Sequence, residues 1–217
     1  MSQAAALPDV IRDFERVDPG VVEQAAQFPS SILADVAGRR GALSGRIAPL
    51  APTMKFAGPA LTVEVRPGDN LMIHAAMAIA KPGDVIIVDG KGDVSSALMG
   101  EIMCQQCAAI GVAAVVIDGA VRDSVAIREL GLPMYSAGLN PNGPTKFVPG
   151  RLNHPISIGG VTVIEREKAA AMLPLAAEKV AAETKRIADI KSRKALRPGW
   201  LDGALRAAGV IQEGETL

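Results

Sequence analysis

The sequence predicts an α/β fold with a parallel sheet and a long C-terminal helix. Two short, continuously apolar segments, residues 85–88 and 112–117, are typical of strands that are covered on both faces. Residues 100–110 between them have a helical pattern, so the three segments predict a β-α-β unit with parallel strands and a right-handed crossover. Residues 165–193 are Ala-rich with Glu and Lys on one side, which predicts one long amphipathic helix.

Helix signals also occur before and between these segments. Near the N-terminus, Asp-Pro-Gly at residues 18–20 is typical of a cap and a first turn. Ser30 or Ser31 then caps a second helix, which extends to about residue 38. The other helices are predicted at residues 70–80, 100–110, 125–130 and 165–193.

Further strands are predicted where apolar and β-branched residues alternate or form short runs. They cover residues 60–65, residues 134–136 and a hairpin at residues 156–164. Loops are predicted at residues 46–58, 89–93 and 137–155, where turn-forming residues dominate. We expect three acidic residues to act as turn formers, namely Asp84 in a turn at residues 81–84 and Asp89 and Asp93 in the loop at residues 89–93.

We expect one catalytic α/β domain at residues 1–193 and a C-terminal tail at residues 194–217, since the length suits one large domain with an extension. The long terminal helix with its tail either packs on a neighbouring subunit or packs within its own chain. The 217 residues are 49% hydrophobic but only 3% aromatic, so aliphatic side chains must form the core. The 23 Lys and Arg residues balance 23 Asp and Glu residues, which argues against nucleic acid as a partner. Since no segment has the features of a secretion signal or a membrane span, we expect a cytoplasmic protein with no membrane contact.

Residues 117–123 (IDGAVRD) give the strongest functional signal, because they follow the second buried strand of the β-α-β unit. The Arg122 guanidinium can hold a small carboxylate by a forked, charge-assisted contact. The Asp123 carboxylate can ligate a hard divalent cation. In such a unit, the helix start and the end of the second strand meet at one edge of the sheet, which is the usual ligand site of open α/β sheets.

The start of the helix at residues 100–110 adds an anion-binding element to the same edge, because its first N–H groups have no partner within the helix. These groups belong to Gly100, Glu101, Ile102 and Met103. Gly100 lets the backbone approach a ligand closely, and Glu101 adds a second carboxylate. We therefore expect a 2-oxo acid such as pyruvate to bind here, with a metal on its keto oxygen that supports aldol cleavage or β-decarboxylation.

Two other motifs give weaker signals. Residues 89–93 (DGKGD) resemble part of a nucleotide-binding glycine motif, but Ser95 occupies the position of the third glycine. Cys104 and Cys107 form a Cys-x-x-Cys pair without a second ligand pair or a thioredoxin-like context. We interpret these cysteines as small side chains on a helix.

The remaining candidate bases and nucleophiles are interpreted as structural. His74 lies among apolar residues of a predicted helix, which is typical of a core or subunit-contact histidine, and His154 precedes a proline in a loop. A Schiff-base lysine needs a desolvating apolar pocket, and none is evident around the available lysines. Those lysines are Lys55, Lys81, Lys91 and Lys146.

Several motifs together resemble the class II pyruvate aldolases that cleave 4-hydroxy-4-methyl-2-oxoglutarate and 4-carboxy-4-hydroxy-2-oxoadipate, in the fold shared with the regulator of ribonuclease activity A. The resemblance covers most of residues 30–190, and its specific element is an acid twenty-one positions before Arg-Asp, here Glu101 before Arg122-Asp123. The other similar segments are residues 67–74, 81–85, 100–103, 118–123, 159–163 and 183–186.

The resemblance implies a β/β/α layered sandwich, trimers or hexamers, and a place in the catabolism of aromatic compounds. It implies Mg²⁺ or Mn²⁺ held by Asp123 largely through waters, which Glu101 and Glu183 bind, with Glu183 contributed by an adjoining subunit. It also implies that Arg122 and the backbone of residues 100–103 hold pyruvate. Oxaloacetate decarboxylation would proceed through the same enolate.

The chain departs from the family pattern at two places. Glu101 stands where many relatives have Asp, although relatives with Glu also exist. Residues 161–166 (VTVIER) lack a further hairpin and strand that the family usually has, which puts the sheet edge in doubt but not the site at residues 100–123.

Two other functions stay open beside the aldolase. One is a non-catalytic, protein-binding regulator of ribonuclease activity. Such a regulator lacks an acid after the Arg, so Asp123 favours the enzyme. The other is a dedicated oxaloacetate decarboxylase, which the sequence does not distinguish from the aldolase.

Overall fold

A computed structural model of the protein describes residues 9–163, 167–192, 194 and 198–215. The chain divides into two compact units, Met1–Leu173 and Pro174–Leu217. The division falls within the predicted domain at residues 1–193, so the extent of that domain stays a prediction. Within the described ranges, no helix is both long enough and apolar enough to cross a membrane.

The first unit is built on a six-stranded sheet whose four inner strands are parallel, which confirms the predicted α/β class. The strand order is β1-β5-β4-β3-β2-β6, and the two short edge strands pair antiparallel. The strands are β1 Ala48–Pro49, β2 Ala60–Glu64, β3 Val85–Met99, β4 Ala114–Val121, β5 Met134–Leu139 and β6 Arg151–Leu152. A separate antiparallel hairpin consists of β7 Ile156–Ile158 and β8 Val161–Val163, as predicted.

The helices largely follow the prediction. They are α1 Pro19–Ala26, α2 Ser30–Val36, α3 Leu71–Ile79, α4 Glu101–Ile110, α5 Ser124–Leu130, α6 Glu167–Lys191 and α7 Leu201–Ala207. Asp18 caps α1, because its carboxylate accepts the N–H groups of Gly20 and Val21. The predicted serine cap of α2 is wrong, since Pro29 holds the cap position and Ser30 begins the helix.

The long C-terminal helix is confirmed over Glu167–Lys191, while residues 165, 166 and 193 of the predicted helix lie outside the described residues. The same holds for residues 164–166 of the segment in which the family hairpin is missing.

The sheet separates two apolar layers, because alternate residues of each strand point to opposite faces. On one face, strand residues such as Ile117 pack with Ile73 of α3, Cys104 of α4 and Ile127 of α5. On the other face, residues including Val85, Ala114 and Val116 pack with Ile47 and with Ile156 and Ile158 of β7. A small sheet, the main sheet and a helical layer therefore stack in turn, which is the β/β/α sandwich.

Strand β3 is much longer than the predicted segment 85–88, and the predicted loop at residues 89–93 is wrong. This polar segment stays paired with β4 through three register shifts between Val88 and Met99. Asp89 and Asp93 still make turn-like contacts within it, because each accepts the N–H of the residue two positions later. The irregular pairing continues the strand as far as the site.

Candidate active site at the carboxyl edge of the sheet

The two parts of the predicted site lie side by side at the carboxyl edge of the sheet. Strand β3 ends at Met99, one residue before α4, and β4 ends at Val121, directly before Arg122 and Asp123. The Arg122 N–H donates to the Met99 carbonyl at 3.0 Å, which joins the two strand ends. The β-α-β unit thus brings residues 100–103 and 122–123 together.

Asp123 has a left-handed backbone conformation, with φ of 57° and ψ of 37°. Such values are uncommon for a residue with a side chain and cost about 1–2 kcal/mol. Its Oδ2 accepts the Glu101 N–H at 3.0 Å, so the first amide of α4 fixes the carboxylate. The side chain is 43% exposed, so the carboxylate lies at the surface of the site.

Arg122 lies against the same carboxylate, with its Nε 3.6 Å from Asp123 Oδ2. The Arg122 side chain is 44% exposed, so its guanidinium can meet a solvent-borne anion. A planar guanidinium next to a carboxylate provides a fork for an acid substrate and an oxygen ligand for a cation, only one residue apart.

Gly100 is required by the packing of these two side chains. A Cβ at this position would lie 2.5 Å from Asp123 Oδ2 and 2.9 Å from Arg122 Cγ. Its φ of −148° is open to any residue, so space and not backbone conformation demands glycine. From the sequence, Gly100 is expected to allow close approach of a ligand, whereas the structure shows close approach of the neighbouring side chains.

The other residues at the start of α4 divide between the surface and the core. The Glu101 side chain is exposed, and Ile102 is 75% exposed. Met103 is buried, and its Sδ accepts the Asn70 Nδ2 at 3.3 Å. The N–H groups of Ile102 and Met103 precede the first helical hydrogen bond, from Cys104 to Gly100, so they remain available to an anion.

An open cleft of about 360 Å³ adjoins Arg122 and Asp123. Its other lining residues are Val121, Ser124, Leu139, Asn140 and Pro141. Leu139, Asn140 and Pro141 fall in the predicted loop at residues 137–155, where no functional residue was expected. The signal that could have found them is their place just after the parallel strand predicted at residues 134–136, since parallel strands end at one edge of the sheet.

Glu183, the remaining predicted site residue, belongs to the second unit and is exposed on α6. Among the described residues, no group of three or more His, Cys, Asp or Glu side chains converges to hold a metal ion.

Burial or ion pairing affects the cysteines, His74 and Lys91, which were not expected to act in the site. Burial raises the pKa of both Cys104 and Cys107 to about 12, and both cysteines are free, so neither is a thiolate at neutral pH. Burial, with a smaller effect of Lys146, lowers the pKa of His74. Burial of Lys91 opposes its charge, but hydrogen bonds to Asp89 and Glu64 outweigh burial and raise its pKa, which disfavours an amine nucleophile.

Comparisons of the sequence and of the fold with known proteins point to the same family. Residues 14–169 match the RraA-like family, described as Aldolase/RraA. A protein of Halalkalibacterium halodurans, named as a candidate 4-hydroxy-4-methyl-2-oxoglutarate aldolase, is 37% identical over 142 residues, which make up 65% of this chain and 68% of that protein.

Two solved structures share the fold. One is a Streptomyces coelicolor protein described as an unusual member of the RNase ES inhibitor RraA family, with a TM-score of 0.73 and 25% identity over 80% of this chain and 98% of that one. The other is the RNA-processing inhibitor RraA from Thermus thermophilis, with a TM-score of 0.58 and 27% identity over 63% of this chain and 82% of that one.

Proposed function

The chain belongs to the RraA-like family, and from this family and the geometry of the site we propose that it is a divalent-metal-dependent lyase. Its substrates would be 4-hydroxy-4-methyl-2-oxoglutarate and 4-carboxy-4-hydroxy-2-oxoadipate, cleaved to pyruvate plus pyruvate or oxaloacetate. The observation that supports this proposal is that the Asp123 carboxylate accepts the first amide of α4 and lies beside Arg122, which places an oxygen ligand and a cationic fork at the start of one helix.

Arg122 and the start of α4 would hold the carboxylate of the 2-oxo acid. The guanidinium binds the two oxygens of a carboxylate in one plane, and the N–H groups of Ile102 and Met103 supply further donors to an anion. The open cleft beside Arg122 has room for the part of the substrate that leaves. Arg122 would also hold oxaloacetate, so decarboxylation of that acid is expected at the same site.

Asp123 would hold the cation, Mg²⁺ or Mn²⁺, by its Oδ1, because Oδ2 is held by the Glu101 N–H. When bound there, a divalent cation would withdraw electron density from the 2-oxo group, which favours cleavage of the carbon–carbon bond. The carboxylates of Glu101 and of Glu183 of the partner subunit would bind the water shell. Glu183 of the partner subunit would also help to remove the proton from the C4 hydroxyl.

The surface around the site supports assembly into a homo-oligomer, a trimer or a dimer of trimers. Three large apolar side chains at this edge are strongly exposed, although such residues normally avoid water. They are Ile102 in α4, Val125 in α5 and Leu139 at the end of β5. A neighbouring subunit that covers them would bring its own residues to the cleft.

A second function, a protein-binding regulator of ribonuclease activity, is favoured by the names of the two solved structures and by the same exposed apolar residues. Asp123 separates the two functions, since a regulator does not need a strained, surface carboxylate next to an arginine.

The test is release of pyruvate from both hydroxy-acid substrates and from oxaloacetate, measured with Mg²⁺ or Mn²⁺ present. We expect turnover by the wild-type protein and none by Asp123→Asn. A folded wild-type protein that releases no pyruvate, but inhibits a ribonuclease, would contradict the lyase and support the regulator.

A further inference from the structure

A segment that we call the strap, residues 140–148, crosses the carboxyl edge of the sheet beside the cleft. It begins where β5 ends, and the Asn140 N–H donates to the carbonyl of Val121 at 3.0 Å. It then passes β3 and reaches the turn before α3, where the Thr145 N–H donates to the Gly68 carbonyl at 2.8 Å. Since β4 and β3 lie between β5 and β2, the strap spans the strands that bring Arg122 and α4 together.

Two asparagines fasten the first half of the strap to β3. Asn140 donates from Nδ2 to the Val94 carbonyl at 2.8 Å, and its Oδ1 accepts the Asn142 N–H at 2.9 Å. Asn142 donates from Nδ2 to the Ser95 carbonyl at 3.2 Å, and its own carbonyl accepts the Ala97 N–H at 2.9 Å. These four bonds fix the backbone of the strap on both sides of Asn142.

Asp69, in the turn before α3, binds the second half of the strap. Its Oδ2 accepts the Thr145 hydroxyl at 2.7 Å and the N–H groups of Phe147 and Val148 at 2.8 and 3.2 Å. Burial alone would raise the pKa of Asp69, but these bonds and one from Leu71 outweigh it, and the pKa lies below its ordinary value. The strap is therefore held at both ends by bonds to the rest of the first unit.

Between these fastenings, Gly143 lies against the Arg122 guanidinium. A Cβ on Gly143 would lie 3.3 Å from Arg122 Nη1, and a Cβ on Gly100 would lie 3.0 Å from Arg122 Nε. Two of the three guanidinium nitrogens therefore lie next to positions where the chain has no side chain.

We propose that Gly143 is a positioning residue for Arg122, because its missing side chain leaves the space that the guanidinium needs to face the cleft. The strap holds Gly143 at that distance, so a side chain added there would displace the guanidinium by a few tenths of an ångström. This role rests on the proposed function of Arg122 as the carboxylate-binding group. Misplacement of a binding group by a fraction of an ångström slows catalysis.

The first test is a graded series at Gly143 with a matched control. Gly143 does not have a positive φ, so alanine and valine can adopt its backbone conformation. Gly45 makes the control, because it also lacks a positive φ and an added Cβ there meets no atom within 4 Å. We expect kcat/KM for pyruvate release to fall about tenfold in Gly143→Ala and about a hundredfold in Gly143→Val, with little change in Gly45→Ala.

The second test is a double-mutant cycle with Arg122→Lys, read both as kcat/KM and as the Kd of pyruvate from calorimetry. Lysine has no Nη1, so Gly143→Ala should have almost no effect in that background if it acts through the guanidinium. An equal loss in the arginine and lysine backgrounds would show a merely structural role and would overturn the proposal. A Gly143→Ala protein with the same kcat/KM as Gly45→Ala would also overturn the proposal.

The two readouts separate this proposal from the proposed function. If the wild-type protein binds pyruvate but cleaves no substrate, the lyase assignment fails and the cycle on Kd still decides the role of Gly143. If the wild-type protein binds no pyruvate, Arg122 has no carboxylate to hold and both proposals are overturned.

Discussion

Replacement of Gly100 by alanine perturbs the candidate site at its most crowded point. The new Cβ would lie 2.5 Å from Asp123 Oδ2, whereas carbon and oxygen atoms ordinarily approach to about 3.3 Å. The Asp123 carboxylate must therefore move by about 0.8 Å, and Arg122, whose Cγ would be 2.9 Å away, must move as well. Both the proposed metal ligand and the proposed substrate fork are displaced by one methyl group.

The expected effect is a large loss of activity with little loss of stability. Misplacement of catalytic groups by about 1 Å costs about a hundredfold in rate, so kcat/KM should fall by that factor. Loss of the hydrogen bond from Glu101 to Asp123 costs about 1 kcal/mol. Replacing a glycine whose φ suits alanine gains about 0.4–1 kcal/mol through the unfolded chain, so the free energy of unfolding should hardly change.

The assay compares initial rates of pyruvate release and thermal unfolding for wild type, Gly100→Ala and the control Gly45→Ala. We expect Tm values within about 3 °C of one another and a loss of activity confined to Gly100→Ala. Activity of Gly100→Ala within a factor of about two of wild type would refute the account of the site, because the clash with both side chains is unavoidable in the observed geometry.

Three further predictions concern single side chains, and a fourth concerns mixed oligomers. Asp123→Asn should abolish metal-dependent turnover at unchanged Tm, because an amide is a poorer ligand for a hard cation. Arg122→Lys should lower kcat/KM about a hundredfold, since a point charge does not reproduce the planar fork. Asp69→Asn should lower the free energy of unfolding by about 1–3 kcal/mol through lost bonds to the strap. The Asp69 carboxylate has a pKa below its ordinary value of 3.8, so its contribution is fully present above about pH 4 and is lost as the pH falls further. Finally, oligomers reassembled from inactive Asp123→Asn and inactive Glu183→Ala chains should recover part of the activity, because some sites would combine intact groups from two subunits.

Each of these predictions has an outcome that contradicts it. Near-wild-type turnover of Asp123→Asn at low metal concentration would show that Asp123 is not the metal ligand. An unchanged kcat/KM in Arg122→Lys would show that the planar guanidinium does not bind the substrate carboxylate. If the difference in unfolding free energy between wild type and Asp69→Asn is the same at pH 3 and pH 7, the carboxylate does not hold the strap. Mixed oligomers without any recovery would place Glu183 in its own subunit's site or outside the mechanism.

The sequence predicted the β-α-β unit and the hairpin because local patterns specify both. Runs of buried residues and the helix start before Glu101 set the start of β3 and the positions of α4 and β4 to within a few residues, whereas the end of β3 was not predicted. The juxtaposition of residues 100–103 with Arg122 and Asp123 then follows from the handedness and parallel pairing of the unit. The roles of these residues are not tested by the structure and stay predictions.

The features that the sequence did not predict depend on contacts between distant segments. Residues 89–93 have turn-like composition and remain a strand only because β4 pairs with them through register shifts. Asp118 belongs to the same motif as Asp123 but lies on the opposite face of the sheet, where it is buried and pairs with Arg46 and the Gly159 N–H. Neither the left-handed conformation of Asp123 nor the position of the strap is encoded in a local pattern.

Metal dependence is the most direct test of the proposed chemistry. The measurement is the rate of pyruvate release by wild-type protein, first after treatment with EDTA and then after addition of excess Mg²⁺ or Mn²⁺. We expect the rate to fall to zero with EDTA and to return with either cation. The reason is that the exposed Asp123 carboxylate offers an oxygen ligand, and we expect no lysine to form a Schiff base with the substrate. Full activity in EDTA, together with trapping of the substrate on a lysine by borohydride, would contradict the account.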